Sequence, residues 1–233
     1  DLEYWDLEQA KLRKNKSSLE FEGEVVIITG AASGIGKTCI ESFLSRGAAV
    51  IGLDINSSIE KLNSHKNYLG LICDLTDEVD VKKSLDKGVC YFGGVDMIVL
   101  NAGIFPEGRK VAELSSKEWR NVFSINLDSN FNLLREVYPL LKVAPNYGRV
   151  VFIGSKNVPA PGPGASAYSS SKAALNQLMR VLSMEWGNDG IRLNALHPNA
   201  VFDTGIWTED VLKSRAENYG LSIDEYKSNN LLR

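Results

Sequence analysis

The chain has 233 residues, of which 44% are hydrophobic, and a formal net charge of −3, so it can bury one sizeable core as a single domain. This acidic balance, with no basic tail or patch, gives no electrostatic case for a nucleic-acid partner. No apolar run approaches the roughly 20 residues that span a bilayer, and no signal-peptide pattern opens the chain. Three cysteines without CxxC spacing and two histidines make a metal site unexpected. We therefore expect a cytoplasmic protein with buried, reduced thiols, no metal and no membrane partner.

Residues 1–23 stand apart from the rest of the chain. The stretch DLEYWDLEQAKLRKNKSSLEFEG is charged and predicts a short helix followed by a Lys/Ser-rich linker. Its apolar residues either form a packing face for another unit or fold back on their own domain; they are Tyr4, Trp5 and Leu7. Because the chain begins with Asp1 rather than Met, we expect a processed product or a piece of a longer protein.

From residue 24 to residue 233 we expect one domain in which strands and helices alternate. Short β-branched runs occupy residues 24–30, 48–54, 68–74, 96–103, 148–155 and 191–198. Helical spacing covers residues 34–46, 77–89, 116–142 and 166–187. Nearly continuous apolar runs are typical of strands covered on both faces in a parallel sheet. The alternation predicts an α/β fold, a three-layer α/β/α domain with a doubly wound, mostly parallel sheet of Rossmann type.

The first motif follows the first predicted strand. Residues 29–36 read TGAASGIG and open the first predicted helix, which is the context that a dinucleotide-binding turn requires. Gly30, Gly34 and Gly36 permit a tight turn and a close approach of a pyrophosphate, while the helix N-terminus offers free N–H groups to the phosphates. A glycine-rich turn alone is a weak signal, because glycines also interrupt ordinary loops.

A carboxylate at the end of the second predicted strand strengthens that interpretation. Asp54 lies 18 residues after Gly36, where it can bond the adenosine ribose hydroxyls and repel a 2′-phosphate. No Arg or Lys follows Asp54, and the nearest cation, Lys37, also reads as a solvated first-turn lysine, so the sequence favours NAD over NADP. Asp74 and residues 101–103 end the next two strands at the same edge, either as ligand-binding residues or as ordinary turn residues.

The second motif joins a strand end to a helix. Tyr168 and Lys172 are spaced i, i+4 and share one helix face, and Ser155 ends the fifth predicted strand at the same edge. A free tyrosine has a pKa near 10, and a neighbouring ammonium would lower it. Tyr168 could then serve as general base toward an alcohol while Ser155 stabilises the same oxygen. The pattern YxxxK alone is more often a surface pair.

In combination these motifs resemble the short-chain dehydrogenase/reductase family from about residue 22 to residue 205. TGxxxGxG, Asp54, NAG, a Ser 13 residues before a Tyr, and YxxxK occur in that order. The resemblance implies an NAD-dependent oxidoreductase that acts on a small molecule and forms homo-oligomers. It implies a catalytic set of Asn126, Ser155, Tyr168 and Lys172. It implies cofactor-binding residues, which are Gly30, Ser33, Gly34, Ile35, Gly36, Asp54, Asp74, Leu75, Asn101, Ala102, Gly103, Tyr168, Lys172, Pro198, Val201 and Thr204.

The resemblance also implies individual roles. Asn126 would shape a helix and hold a water for a proton relay, and Lys172 would also bond the nicotinamide ribose. The chain reads His197-Pro198-Asn199 where the family commonly has Pro-Gly, so we expect a different backbone there. The family's last helix and strand are not found before Arg233, so we expect the closing edge of the sheet to be missing.

A narrower resemblance concerns the substrate. IGSKNVPAPGPGASAYSSSKAAL, LHPNAVFDTGIWTEDVL and EYWDLEQAKL are similar to the C-terminal dehydrogenase domains of bifunctional rhamnulose-1-phosphate aldolase/alcohol dehydrogenases. This implies an aldolase domain in the parent chain and oxidation of lactaldehyde to lactate in rhamnose breakdown. Lys156, Asn157 or His197 could contact such a substrate, and each is equally well explained as a solvated loop residue or a satisfied histidine. Residues 205–228, including Trp207, are expected to form a mobile lid.

Two other functions stay open at this point. A non-catalytic dinucleotide-binding or scaffold domain would suit a fused partner, although the intact catalytic set argues against it. A sugar epimerase of the related extended type predicts TGxxGxxG rather than the TGxxxGxG of this chain.

Overall fold

Six parallel strands form the centre of the computed structural model, which describes residues 19–230. They are β1 (Val25–Thr29), β2 (Ala49–Asp54), β3 (Tyr68–Ile72), β4 (Met97–Leu100), β5 (Arg149–Ile153) and β6 (Arg192–Leu196). Their order across the sheet is β3-β2-β1-β4-β5-β6, and each neighbouring pair is parallel. The chain reverses its direction of travel across the sheet between β1 and β4, which places a crevice at the carboxyl ends of these strands.

Helices cover both faces of this sheet. They are α1 (Gly34–Ser45), α2 (Glu78–Phe92), α3 (Ser116–Phe123), α4 (Ser129–Lys142), α5 (Ser166–Glu185), α6 (Glu209–Tyr219) and α7 (Ile223–Asn230). Apolar side chains of α2, α4 and α5 pack in one core cluster, and those of α1 pack in a second cluster with a short 3₁₀ turn, Ser57–Lys61. The predicted three-layer, doubly wound α/β fold is confirmed.

Burial along the strands follows their position in the sheet. Every residue of β1 and of β4 is buried, as expected for central strands covered on both faces. In β6, exposed residues alternate with half-buried ones, and Leu196 is 56% exposed. The expectation that every strand is covered on both faces is therefore wrong for β6, which lies at the edge of the described sheet with β5 as its neighbour.

The long helix expected over residues 116–142 is interrupted in its middle. α3 begins with a capping box between Ser115 and Glu118, a pattern that fixes a helix N-terminus. A π-helical segment, Ser124–Asp128, then separates α3 from α4. Such segments often occur at functional sites, and this one carries Asn126, whose side chain is buried.

The N-terminal expectations lie mostly outside the described residues. This holds for the predicted helix and linker over residues 1–18, including Tyr4, Trp5 and Leu7. Residues 19–23 are described, and the Phe21 ring packs on Phe43 with 4.9 Å between centroids. This part of the predicted linker therefore lies against α1.

The three cysteines are free thiols with different exposure. Cys73 is buried and Cys39 is half-buried, whereas Cys90 is exposed. The expectation of buried thiols is wrong for Cys90, because it lies on the solvent side of α2. Within residues 19–230, no helix has both the length and the apolar character needed to cross a bilayer. No group of three His, Cys, Asp or Glu side chains in that range could hold a metal ion.

Candidate active site

A cleft in two connected parts runs along the carboxyl edge of the sheet. The wider part has a volume of about 480 Å³ and lies over the ends of β1, β2, β3 and β4; we call it the wide groove. The narrower part has a volume of about 100 Å³ and lies between the end of β5, α5 and α6; we call it the narrow cavity. The two parts share wall residues, which are Ile35, Asn101, Gly103, Thr204 and Ile206. A ligand lying in the groove can therefore reach the cavity.

The glycine-rich turn forms the floor of the wide groove. Gly30 has a φ of +60°, and a Cβ there would lie 2.8 Å from the Cα of Ala102. A Cβ on Gly36 would lie 2.3 Å from the carbonyl oxygen of Gly30. Side chains at either position would collide with backbone atoms, so the close packing of this turn requires glycine. Gly36 is needed for the packing of α1 against the turn and does not line the groove.

Two strand ends hold the turn in place. The Asp54 carboxylate accepts a hydrogen bond from the Ala32 amide at 2.9 Å. The Asn101 side-chain amide donates to the carbonyl oxygens of Thr29 and Gly30, each at 3.0 Å. The Thr29 hydroxyl in turn accepts from the backbone amide of Asn101 at 2.9 Å. The ends of β2 and β4 thus fix the turn through hydrogen bonds to its backbone, and Asp54 stays half-buried at the groove.

The chemistry of the wide groove fits a dinucleotide. Ser33 at the N-cap of α1 makes no side-chain capping bond, and the first turn of α1 holds no acidic residue, so its amides are available to phosphate oxygens. Asp54 and Asp74 line the far end of the groove, and Lys37 is exposed to solvent. Predicted cofactor residues that line the groove are Gly30, Ser33, Gly34, Ile35, Asp54, Asp74, Leu75, Asn101, Ala102, Gly103 and Thr204.

The predicted catalytic side chains meet in the narrow cavity. Tyr168 and Lys172 lie one turn apart on α5, and Ser155 follows β5; all three line the cavity, as do Pro198 and Val201. The Lys172 ammonium donates to the carbonyl oxygen of Ile153 at 2.9 Å and lies 6.0 Å from the centroid of the Tyr168 ring. Strand end and helix face therefore bring Ser155, Tyr168 and Lys172 together, as their spacing predicts.

Burial controls the protonation of these groups. Burial raises the pKa of Tyr168 above its ordinary value, and a hydrogen bond with the Ser155 side chain opposes this by lowering it. Burial also lowers the pKa of Lys172 to about 8, because the charged form is disfavoured in an apolar environment. The sequence-based expectation of a Tyr168 pKa lowered by Lys172 is therefore not found, because burial has the larger effect and raises the pKa of this phenol.

Asn126 lies behind the cleft and lines neither of its parts. Its side-chain oxygen accepts from the Ile104 amide at 2.8 Å, and its side-chain nitrogen donates to Ser171 at 3.1 Å. A Cβ on Gly103 would lie 3.1 Å from the Asn126 oxygen and 3.4 Å from the Lys172 nitrogen. Asn126 thus connects the loop after β4 to α5 from within the π-helical segment. Its role in holding a water stays a prediction.

The three proposed substrate contacts divide into two groups. Lys156 and Asn157 line the narrow cavity, whereas His197 does not. The His197 Nδ1 atom lies 3.3 Å from the Ser155 amide nitrogen and 3.1 Å from its carbonyl oxygen. A Cβ on Gly154 would lie 2.5 Å from the same Nδ1 atom. His197 therefore packs against the backbone that positions Ser155 and does not form the cavity wall.

Several residues of the cavity wall were not singled out from the sequence. Phe105 lies outside every predicted site, whereas Ile206, Arg215 and Tyr226 lie within the segment 205–228 expected to form a lid. The Phe105 ring contacts the Tyr168 ring edge-on with 4.5 Å between centroids, and Trp207 lies 5.8 Å from Phe105. One signal was available for Arg215: it follows Val211 by four residues, so it shares an apolar helix face. The segment after residue 205 covers the cavity as expected of a lid, and its movement stays a prediction.

Comparisons with known proteins agree with this geometry. The sequence profile of the family described as short chain dehydrogenase matches residues 24–214. The chain is 34% identical over 96% of its length to the uncharacterized oxidoreductase YuxG of Bacillus subtilis, and spans 34% of that relative's length.

Two solved structures are also similar. One is 3-ketoacyl-(acyl-carrier-protein) reductase from Brucella melitensis complexed with NADH; its TM-score is 0.78 and its identity 25%, covering 84% of this chain and 82% of that one. The other is NAD⁺-bound xylitol dehydrogenase, with a TM-score of 0.73 and 29% identity, covering 77% of this chain and 71% of that one. Both similar structures contain the cofactor that the wide groove fits.

Proposed function

The chain belongs to the short-chain dehydrogenase family, and on that premise we propose that it is an oxidoreductase that transfers a hydride between NAD and a small hydroxy or aldehyde substrate. The observation that carries this proposal is the grouping of Ser155, Tyr168 and Lys172 where the wide groove meets the narrow cavity. A dinucleotide groove and a proton-exchanging tyrosine at its end are what such a reaction requires.

NAD, when bound in the wide groove, supplies the hydride acceptor for oxidation and the hydride donor for reduction. The amides at the start of α1 would bind its phosphates, and Asp54 its adenosine ribose hydroxyls. Asp74 and Leu75 would contact the adenine, Lys172 the nicotinamide ribose, and Val201 and Thr204 the nicotinamide amide. Exposed Ile55 and Asn56 follow Asp54, so the cation that a 2′-phosphate needs is missing there, which supports NAD over NADP.

Tyr168 exchanges the proton in the proposed reaction. In oxidation the alcohol loses its carbon-bound hydrogen as hydride and its hydroxyl proton to the Tyr168 phenolate, which leaves a carbonyl compound and a phenol. Ser155 donates a hydrogen bond to the substrate oxygen and stabilises its developing charge. The Ile153 carbonyl accepts a hydrogen bond from Lys172 and holds this side chain one helical turn from Tyr168. The reverse sequence reduces a carbonyl group, and a hydrated aldehyde reacts as an alcohol.

Cavity size supports a small substrate. The volume of about 100 Å³ is well below the roughly 300–1,000 Å³ of common ligand pockets. Lactaldehyde, oxidised to lactate, is the specific candidate, and it rests on the sequence resemblance to the dehydrogenase domains of rhamnulose-1-phosphate aldolase fusions. An aldolase domain in the parent chain and assembly into homo-oligomers are proposals on the same ground.

An absorbance assay for NADH tests the proposal. The wild-type protein is mixed with NAD or NADP and with lactaldehyde or a panel of small alcohols. We expect NADH to form with at least one substrate and a much lower rate with NADP. Calorimetry of NAD binding accompanies the assay. Binding of NAD without turnover of any substrate would favour the alternative of a non-catalytic dinucleotide-binding or scaffold domain.

A further inference from the structure

Arg215 on α6 is a buried cation in the wall of the narrow cavity. Its exposed fraction is 1%, and its guanidinium carbon lies 5.4 Å from the centroids of both the Phe105 and the Tyr219 rings. One terminal nitrogen donates to the carbonyl oxygen of Pro163, in the Pro/Gly-rich loop before α5. The Nε nitrogen has no hydrogen-bond partner. The guanidinium thus has donor capacity left on the inside of the protein.

Arg215 also lacks a counter-charge within residues 19–230. No Asp or Glu in this range lies within 4.0 Å of it, whereas Arg149 forms an ion pair with Glu24 at 2.7 Å. Arginine stays protonated in proteins, and a buried charge without a partner destabilises the fold. An anion bound from outside the chain would supply the missing counter-charge and accept the remaining hydrogen bonds of Arg215.

The charge of the narrow cavity agrees with this interpretation. Its described wall contains Lys156, Lys172 and Arg215 but no Asp or Glu. Burial lowers the pKa of Lys156, and the positive charge of Arg215 lowers it further. The two cations are therefore close enough to repel each other. A cavity lined by one sign of charge attracts ligands of the opposite sign.

Phe105 relates Arg215 to the reacting group. Its ring contacts both the Tyr168 ring, with 4.5 Å between centroids, and the Arg215 guanidinium, whose carbon lies 5.4 Å from the Phe105 centroid. Hydrogen bonds from Ser214 at 2.9 Å and Asn218 at 3.4 Å to the Gly108 carbonyl fix α6 to the loop after β4. Tyr168 and Arg215 thus contact one ring and line one small cavity, so a substrate that reacts at Tyr168 shares this cavity with the guanidinium.

We propose that Arg215 binds a carboxylate of the substrate, so that the preferred substrates are small hydroxy acids and their oxo-acid products. This inference rests on the proposed oxidoreductase function and names the substrate class of the same site. The planar fork of a guanidinium matches the two oxygens of a carboxylate, and the small cavity favours a carboxylate over a larger anion. Lactaldehyde has no carboxylate. Arg215 variants should therefore leave the oxidation of lactaldehyde unchanged and slow the oxidation of a hydroxy acid.

The test compares acids with their neutral amides. The wild type, Arg215→Met, Arg215→Lys and the exposed-site control Arg180→Met are assayed with NAD and lactate, 3-hydroxybutyrate and 4-hydroxybutyrate, and with the three matching amides. We expect the wild type to prefer at least one acid. Arg215→Met should lower kcat/KM for that acid by about 10- to 100-fold, mainly through KM, and leave the amides within about threefold. Arg215→Lys should fall between these values, and Arg180→Met should match the wild type.

Two further readouts separate the inference from the proposed function. Calorimetry with NADH present measures 3-hydroxybutyrate binding without turnover, and thermal unfolding of ligand-free Arg215→Met reports any structural role. The inference is supported if Arg215→Met abolishes carboxylate binding while its unfolding midpoint equals or exceeds the wild-type midpoint. This result counts even if no turnover is found. Turnover of amides and alcohols at rates equal to those of the acids would overturn it while the oxidoreductase function stands. A strongly lowered midpoint in Arg215→Met would overturn it in favour of a structural role.

Discussion

The wide groove and the narrow cavity are adjacent parts of one cleft, but different kinds of structural elements and side chains form them. The wide groove consists of a glycine turn, strand ends and short polar side chains such as Asp54, joined by hydrogen bonds to backbone atoms. The narrow cavity consists largely of long side chains and aromatic rings, contributed by α5, α6, α7 and the loops that follow β4, β5 and β6. We infer from this difference that the groove would bind the dinucleotide and that the cavity would determine which substrate reacts.

This comparison predicts how substitutions will act in each part. A change at a cavity side chain that does not contact the nicotinamide should alter turnover or substrate choice and leave dinucleotide binding intact. A change in the groove should alter folding or dinucleotide affinity and leave the chemistry of the bound substrate intact. The variants below test this division in order of decreasing expected effect.

Tyr168→Phe removes the proton-exchanging hydroxyl and keeps the ring that packs on Phe105. We expect kcat to fall by roughly 10²–10⁴-fold, with NAD affinity within about threefold of the wild-type value. Steady-state NADH formation and calorimetric NAD titration measure the two effects. Retained turnover would show that Tyr168 is not the general base, and a parallel loss of NAD binding would break the division of the cleft.

Gly30→Ala should disrupt the groove through its backbone. The added Cβ would meet Ala102 at 2.8 Å, at a positive φ of +60°, so overpacking and strain together should lower the free energy of unfolding by roughly 4 kcal/mol. Gly220→Ala is the matched control, because Gly220 has a φ of +67° but nothing within 4 Å of its Cβ position. We expect the control to lose only about 1 kcal/mol from strain. Urea unfolding of both variants measures the difference, and equal losses would contradict the packing argument.

Lys172→Met tests burial in the cavity through the pH dependence of stability. Burial lowers the pKa of Lys172 from 10.5 in its ordinary state to about 8, so the unfolded chain binds a proton between these values that the folded chain does not. The free energy of unfolding contributed by Lys172 must therefore rise with pH across this window, by roughly 3 kcal/mol. Urea unfolding at several pH values measures this effect. The free energy of unfolding of the wild type, relative to that of Lys172→Met, should rise by this amount as the pH increases.

The control for this experiment is Lys87→Met, which removes an exposed lysine of α2. Its difference from the wild type should not change with pH. If the difference in the free energy of unfolding between the wild type and Lys172→Met stays constant with pH, the lowered pKa of Lys172 is contradicted.

Asp54→Asn should have the smallest effect. Loss of the carboxylate charge removes a charge-assisted bond to the ribose hydroxyls and the repulsion of a 2′-phosphate. We expect NAD affinity to fall by about tenfold, equivalent to about 1.4 kcal/mol, and the preference for NAD over NADP to narrow. Calorimetric titration with both dinucleotides measures this, with exposed Asp86→Asn as a control. An unchanged preference would show that Asp54 serves only to hold the turn at Ala32.

The same contrast explains which parts of the molecule could be predicted from the sequence. Strand ends and helix spacing are local properties, so the edge that carries Asp54 and the shared face of Tyr168 and Lys172 follow from pattern alone. Arg215 reaches the cavity because α6 packs on the loop before α5, and His197 supports Ser155 across 42 residues of sequence. Such contacts depend on tertiary packing that periodicity does not encode.

Two local features also escaped prediction for physical reasons. The π-helical segment Ser124–Asp128 contains neither Gly nor Pro, so no local signal interrupts the helical pattern and residues 116–142 read as one helix. β6 reads as a buried strand because Leu193 and Leu196 are apolar, but its edge position leaves Leu196 exposed. In both cases the sequence pattern predicts the right type of element, and packing against neighbouring elements determines its exact geometry and exposure.

A crystal structure of the protein with NAD would test the central claim most directly. The account predicts a dinucleotide along the wide groove, with its adenine beside Asp74, its ribose on Asp54 and its nicotinamide where the groove meets the narrow cavity, next to Tyr168 and Lys172. A dinucleotide bound elsewhere, or bound with its nicotinamide away from Tyr168, would contradict the account.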